Sequence, residues 1–268
     1  MNNDASYEEE MRKEKLELKT AFNKAFLVNI PSTEHKWYDS QTATVQALQF
    51  GIVPDEEIEN VVNGLVHNIT EVKGGHHSTG IHGNRYIYTV LTKYGKGDLA
   101  HQILTTPDFP SQTYVMNSGF TSWPERQFEW EKMEGPTNSL NHPMHTGFAT
   151  YFFESLGGIK SSEEAPGYSE FIVNPEFPSQ IKSTDVSIPT PYGNIENKWS
   201  INSSVLTMNL KVPFNTNAKL DLTEKEYESL KINNEAFSEF QNENYSEVLD
   251  DNTVILGSGD YKIEYIKS

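Results

Sequence analysis

Apolar residues recur about every fourth position through the first 156 residues of this chain, and every second position after Pro166. The first pattern predicts helices. Tyr7 to Leu27 reads as a charged amphipathic helix with Met11, Leu18, Phe22, Ala25 and Phe26 on one side. A loop through Pro31 to Tyr38 leads to a second helix, Ser40 to Phe50, stopped by Gly51. Pro54 with Asp55, Glu56 and Glu57 opens a third, because proline and acidic side chains both suit a first helical turn. Its stripe is Ile58, Val61, Val62, Leu65, Val66 and Ile69, broken by Gly74-Gly75-His76-His77. Ile87, Val90, Leu91 and Tyr94 define a fourth helix between Gly83 and Gly95, and Asp98 to Leu104 a short fifth. A turn is expected at Ser111 to Met116. Ser139 is a candidate N-cap for a last helix whose Leu140, Met144, Phe148, Phe152 and Leu156 precede the stop Gly157-Gly158. Short connections predict that successive helices pack as antiparallel neighbours.

The second pattern predicts strands. Leu206, Met208, Leu210 and Val212 alternate with polar neighbours, as do Tyr261, Ile263 and Tyr265. Turn signals at Pro191 to Asn194 and Gly257 to Asp260 separate such runs. The expected product is a small antiparallel β-sandwich over 166–268. The acidic insert Thr223 to Asp251 looks too polar for a core strand and is expected as a surface helix plus loop.

Candidate chemistry gathers in Gly119 to Gly158. A Gly, Pro and aromatic loop there cannot be regular helix, since Pro124 lacks a donor and biases Trp123 away from the helical region. Glu125, Glu129, Glu131 and Glu134 stand among Phe120, Trp123, Phe128 and Trp130, and Asn141-His142 follows. Carboxylates beside aromatic faces suit a sugar, whose C–H faces lie on rings while its hydroxyls bond to acids and imidazoles. The competing readings are solvated surface glutamates and an Asn-His capping pair with no ligand.

Composition narrows the partners. With 21 basic against 38 acidic residues the net charge is −17, which repels nucleic acid and anionic membranes, so no nucleic acid and no membrane is the expectation. There is no cysteine, hence no disulfide framework or thiolate ligand. Residues 1–20 are charged throughout with no apolar leader, so the chain as written is expected to be soluble and cytoplasmic, while the compartment of a parent enzyme, which could carry an export signal upstream, stays open. The adjacent His76 and His77 cannot both face one site from regular structure, and no metal-binding spacing accompanies them. No metal and no cofactor are therefore expected.

An ordered series of strings resembles the inverting α-L-rhamnosidases with an (α/α)6 catalytic barrel. It comprises Lys15 to Lys19, Ala21 to Leu27, QTATVQALQFGIVP at 41–54, TGIHGNRYIYTVL at 79–91, Gly119 to Arg126 and Ser139 to Ile159. It continues through Pro166-Gly167-Tyr168, Tyr192 to Ile195 with Trp199, and VPFNTNA at 212–218, covering most of residues 10–222. The resemblance implies an α + β multidomain chain: a partial (α/α)6 toroid over 7–160, then the β-sandwich. It implies that Glu125 is the general base, that His142 is a sugar-hydroxyl ligand with Asn141 holding the helix start, and that Trp123 lies at the sugar. It also implies that Thr79-Gly80 and Gly83 form a tight barrel turn whose glycines permit positive φ. Thr121-Ser122-Trp123-Pro124 departs mildly from the family's usual residues before the base.

What the resemblance leaves out matters as much. The family's general acid lies in an earlier DERLGWxGD-like stretch, and nothing similar occurs here. Inversion needs an acid on the leaving oxygen and a base roughly 6.5–9.5 Å away. The expectation is therefore the C-terminal part of a rhamnosidase acting on a rhamnose-containing glycoside or polysaccharide, inactive alone, with an apolar flank that self-associates or meets the missing barrel half. The alternative is a non-catalytic protein that binds carbohydrate or completes another chain's barrel.

Overall fold

The computed structural model describes residues 5–127, 129, 139–162, 165–243, 246–248 and 252–267. The chain divides into two compact units, Met1–Phe148 and Ala149–Ser268.

The first unit is helical. α1 spans Ala5–Phe26, and the short strands β1 (Val28–Asn29) and β2 (Lys36–Trp37) pair as an antiparallel ribbon, β2 lying inside the stretch expected to be loop. Ser40 caps α2 (Gln41–Gln49) by accepting the Ala43 N–H, as its sequence position predicts. Pro54 leads into a 3₁₀ turn, Asp55–Glu57, before α3 (Ile58–His67), which widens into a π-helical turn at Asn68–Val72. α4 (Ile81–Asn84), α5 (Ile87–Lys93), α6 (Gly97–Thr105) and α7 (Gln112–Asn117) follow, with Ser111 capping α7. α5 packs on α6, and α2 on α3 and α5. Val45, Leu48, Val61, Val62, Leu65, Ile69, Ile87, Leu91 and Ile103 are buried in this unit, and Val61, Val62, Leu65 and Ile69 are four of the six stripe positions read between Ile58 and Ile69.

Two expectations change here. Gly80 and Gly83 do not adopt positive φ; Gly80 is extended at φ −77°. Gly83 is needed for close approach, because a Cβ there would lie 2.8 Å from Thr42 Oγ1 and 2.9 Å from Thr79 Cγ2. Second, the helix expected from Ser139 begins at Pro143. It runs as 3₁₀ over Pro143–Ala149 and as π over Tyr151–Leu156. Ser139 caps no helix; its hydroxyl accepts the Asn141 N–H two residues on, closing a local turn that competes with helix. A tight turn followed by a wide one destroys the register of a four-residue stripe, so Phe148 and Leu156 are buried while Leu140, Met144 and Phe152 stay exposed. The apolar side of α1 is largely uncovered, with Leu18 62% and Phe26 54% exposed.

The second unit is built from two sheets. Its strands are β3 (Ile159–Ser161), β4 (Glu170–Val173), β5 (Ser183–Thr190), β6 (Gly193–Asn202), β7 (Val205–Val212), β8 (Asn217–Asp221), β9 (Lys231–Ile232), β10 (Glu235–Ala236), β11 (Ser246–Val248), β12 (Thr253–Leu256) and β13 (Gly259–Ile266). Six form the antiparallel sheet β10-β9-β13-β7-β6-β5, and five form β11-β12-β8-β4-β3. The β4–β8 pair is parallel, the one departure from the expected antiparallel pattern among the described strands. Trp199, Phe171, Ile195 and Ile263 lie at the centre of a core drawn from both sheets. Trp199 Nε1 donates to Leu156 O at 2.7 Å and Asn197 Nδ2 to Gly157 O at 2.8 Å, so β6 supplies partners for the free carbonyls at the end of the π turn.

The acidic insert is not a surface appendage. After α8 (Glu224–Glu228), opened by a Thr223–Glu226 capping box, Leu230 and Ile232 turn inward, and α9 (Phe237–Glu243) adds Phe237 and Phe240 to the same core. β9 and β10 form a two-residue hairpin in which Asn233 and Asn234 both take positive φ, 54° and 71°. Polar composition misled because a two-residue strand needs only one inward side chain.

Candidate active site

Glu125 sits half-buried on a loop that two segments hold by their backbones. Its N–H donates to Ser139 O at 2.8 Å, and the His142 N–H donates to Trp123 O at 2.8 Å. Ser122 Oγ adds a bond to Leu140 O at 2.6 Å. The 122–125 and 139–142 segments therefore run as a short clasp, which explains why no helix starts at Ser139: its backbone is spent on the loop.

Beneath the clasp lies a closed circuit of side chains. Trp123 Nε1 donates to Gln112 Oε1 at 2.7 Å, and Gln112 Nε2 to Asn84 Oδ1 at 2.8 Å. Asn84 Nδ2 donates to His145 O at 2.8 Å, and His145 Nδ1 to Pro124 O at 2.5 Å, one residue from the start. Gln112 also donates to the Tyr88 hydroxyl at 3.2 Å, and burial pushes that phenol's pKa upward. Asn84, Tyr88, Gln112 and His145 are each at most 2% exposed. A buried network of this kind favours one geometry, because any member that moves leaves a desolvated partner unpaired.

The loop opens on a cavity of about 300 Å³ lined by Glu125, Arg126, Gln127, His77, Thr79 and His145 among others. His77 is fully buried; desolvation first, and then the neighbouring His145 and His76, depress its pKa to about 3. Burial likewise lowers that of His145, partly offset by its bond to Pro124 O, with His142 adding a further downward push. Both imidazoles are thus neutral at pH 7. His77 Nδ1 lies 3.2 Å from Thr79 Oγ1 and its Nε2 3.4 Å from Gln127 Nε2. His76 turns elsewhere and donates through Nδ1 to Pro110 O at 3.3 Å. Among the described residues, no group of three or more His, Asp or Glu side chains could hold a metal ion, and no helix is long and apolar enough to cross a membrane.

The residues singled out in the sequence fall at different places around this cavity. Glu125 lines it. Trp123 is not among the cavity-lining residues; it spends its donor on Gln112 and sets its ring 5.2 Å from Phe148. His142 is half-buried beside the clasp with Nδ1 desolvated and unpartnered, and Asn141 is exposed; neither is among the cavity-lining residues. Glu129 is half-buried, while Phe128, Trp130, Glu131 and Glu134 lie outside the described residues. Sequence reasoning missed Asn84, Gln112 and Gln127 and gave His77 and His145 no role. Their only local signal was polar or imidazole side chains set among apolar helix positions.

Comparison with known proteins places this geometry in context. A model described as the bacterial alpha-L-rhamnosidase 6 hairpin glycosidase domain matches residues 1–156, and one for the bacterial alpha-L-rhamnosidase C-terminal domain matches residues 158–237. An alpha-L-rhamnosidase of Formosa agariphila is 70% identical over 267 residues, covering 100% of this chain and 28% of that protein. One from an Alteromonas species is 31% identical over 69% of this chain and 20% of its own length. The structure of alpha-L-rhamnosidase from Dictyoglumus thermophilum aligns with a TM-score of 0.79 and 26% identity over 99% of this chain and 29% of that one. The Streptomyces avermitilis alpha-L-rhamnosidase, solved in complex with L-rhamnose, shares the fold at TM-score 0.76 and 23% identity, covering 92% of this chain and 23% of that one. The chain spans less than a third of the length of the curated relatives it matches.

Proposed function

This chain belongs to the bacterial α-L-rhamnosidase family, and we propose that within a longer enzyme it supplies the water-activating side of a site that hydrolyses terminal α-L-rhamnosides with inversion, Glu125 being the general base. The observation that carries this reading is the placement of Glu125: a carboxylate at a cavity, on a loop clamped by the clasp and the buried circuit. A base must be held within hydrogen-bond reach of its water, and a rigid loop meets that need without a cost at the moment of reaction.

In the proposed step Glu125 takes a proton from water, the water oxygen bonds to the anomeric carbon, and the bond from that carbon to the leaving oxygen breaks on the opposite face. A carboxylic acid must protonate that leaving oxygen. The acid of the resembling enzymes belongs to a stretch with no counterpart in these 268 residues. Losing acid assistance costs roughly 10²–10⁴-fold, so the chain by itself is inactive on this reading. His142, with its unpartnered Nδ1, and the ring surface of Trp123 are the proposed sugar contacts, with Asn141 at the rim.

The exposed apolar side of α1 favours a second reading, in which the chain is a non-catalytic, barrel-completing partner. Met11, Leu18, Phe22 and Phe26 line a groove of about 610 Å³ with Phe50 and Ile52, a surface suited to further helices or a second copy. One assay separates the readings: hydrolysis of an aryl α-L-rhamnoside by this chain alone, and after exchanging it for the matching 267 residues of the 70% identical relative. The base reading expects no turnover alone, turnover in the exchange, and a kcat reduced by several orders of magnitude by Glu125→Gln. Near-normal kcat in that variant would sink it.

A further inference from the structure

We propose that His77 is a positioning residue for the step assigned to Glu125, holding the far side of the base loop through Gln127. The proposal rests on the general-base reading and deepens it, because the circuit through Gln112 and His145 grips only residues that precede Glu125.

His77 belongs to a second chain of hydrogen bonds, which starts at α2. Gln41, the first residue of that helix, is 1% exposed, and its Oε1 accepts the Ser78 N–H at 2.6 Å. Its Nε2 donates to Asn68 Oδ1 at 2.9 Å, where α3 widens into its π turn, and to His76 O at 3.4 Å. One buried amide thus holds the peptide bonds on both sides of His77. The next residue of α2 fixes the same segment, Thr42 Oγ1 accepting the Gly80 N–H at 3.3 Å. Letting the segment move would leave the buried Gln41 amide without its partners, which opposes the motion.

The imidazole carries this anchoring across to the base loop. Its Nε2 faces the Gln127 amide nitrogen at 3.4 Å, and an amide N–H only donates, so Nε2 holds the lone pair. Nδ1 then carries the proton and donates to Thr79 Oγ1 at 3.2 Å. The ring is buried and stands edge-on to Tyr88, centroids 6.2 Å apart, so packing as well as bonding fixes its direction. Burial keeps it neutral at pH 7, the state in which Nε2 can accept. His145 therefore holds the loop at Pro124, one residue before the base, and His77 holds it at Gln127, two residues after. A loop gripped on one side can still turn about that grip. Gripped on both sides, it fixes the direction of the carboxylate between them, and a misplacement of about 1 Å in such a group can cost about 100-fold in rate.

The test is kinetics on an aryl α-L-rhamnoside after exchanging this chain for the matching 267 residues of the 70% identical relative. His77→Leu keeps an apolar filling and removes both ring nitrogens; kcat should fall about 100-fold while KM changes less than about twofold. His77→Gln, whose amide oxygen can accept from Gln127, should recover most of that loss. Gln127→Leu should reproduce it, and the double variant should be no worse than either single one, because both break the same bond. Gln127 is half-buried, so Gln127→Leu decides the matter where His77→Leu does not fold. Unchanged kcat in either leucine variant, additive losses in the double variant, or no recovery in His77→Gln, with Glu125→Gln still inactive, would overturn the positioning role and leave the general base standing. Near-normal kcat in Glu125→Gln, or an exchanged enzyme without turnover, would overturn the base reading and this role with it.

Discussion

His145 donates from Nδ1 to the carbonyl oxygen of Pro124 at 2.5 Å, so a residue twenty-one positions downstream holds the peptide that immediately precedes Glu125. That bond closes the circuit through Trp123, Gln112 and Asn84, and it makes the position of Glu125 a property of three helical segments rather than of its own loop.

The circuit can be broken at its most buried link. Gln112→Ala removes partners from Trp123 Nε1, Asn84 Oδ1 and the Tyr88 hydroxyl at once. We expect a loss of about 2–4 kcal/mol in denaturant unfolding, above the usual cost of one buried hydrogen bond. A loss under about 0.5 kcal/mol would mean that the three partners find water instead.

Acid should weaken the first unit through His77. Its folded pKa of about 3 lies below the unfolded value of 6.5, so the unfolded chain binds the extra proton between those limits. The stabilisation from a neutral, buried His77 is fully present above pH 6.5 and is lost as pH falls towards 3. Comparing the pH dependence of unfolding for wild type and His77→Leu isolates this contribution from that of the carboxylates. The variant should show a shallower fall between pH 6 and 4; parallel curves would contradict the assignment.

Association should track α1. With Leu18 and Phe26 more than half exposed and Phe50 at 55%, sedimentation of the chain should show concentration-dependent self-association at neutral pH. Leu18→Glu with Phe26→Glu should shift it towards monomer with little change in helix content, since both side chains are largely in water. A monodisperse wild-type monomer across the concentration range would refute the expectation.

Two glycines with similar backbones should respond differently to alanine. Gly158 has φ +70° and a Cβ there would sit 2.2 Å from Pro175 N; Gly167 has φ +88° and nothing within 4 Å. Gly167→Ala should cost about 1 kcal/mol of backbone strain. Gly158→Ala adds a clash with main chain that cannot swing aside, and should cost at least 3 kcal/mol or prevent folding of the second unit. Equal thermal shifts for the two variants would show that the chain near Pro175 can yield.

Local rules were enough for a large part of this protein. Ser40 before an apolar run, Gly51 behind it, and the two-residue alternation of Leu206 to Val212 and Tyr261 to Tyr265 each act within a few residues, and the corresponding helix and strands occur. The strings shared with rhamnosidases likewise marked the family, because they are short and contiguous. Only the tertiary structure decided the rest. The Ser139 to Leu156 stripe has a helical period, yet the clasp with Trp123 and Glu125 takes the backbone of its first residues and the remainder winds as 3₁₀ and π turns. Leu230, Ile232, Phe237 and Phe240 are core residues because the strands around them leave a place for them, which the acidity of their neighbours conceals. Asn84, Gln112 and His145 become one constellation through bonds spanning 21 to 61 residues. No periodicity encodes such partners, since a buried polar group acquires its meaning from whatever distant group the fold sets against it.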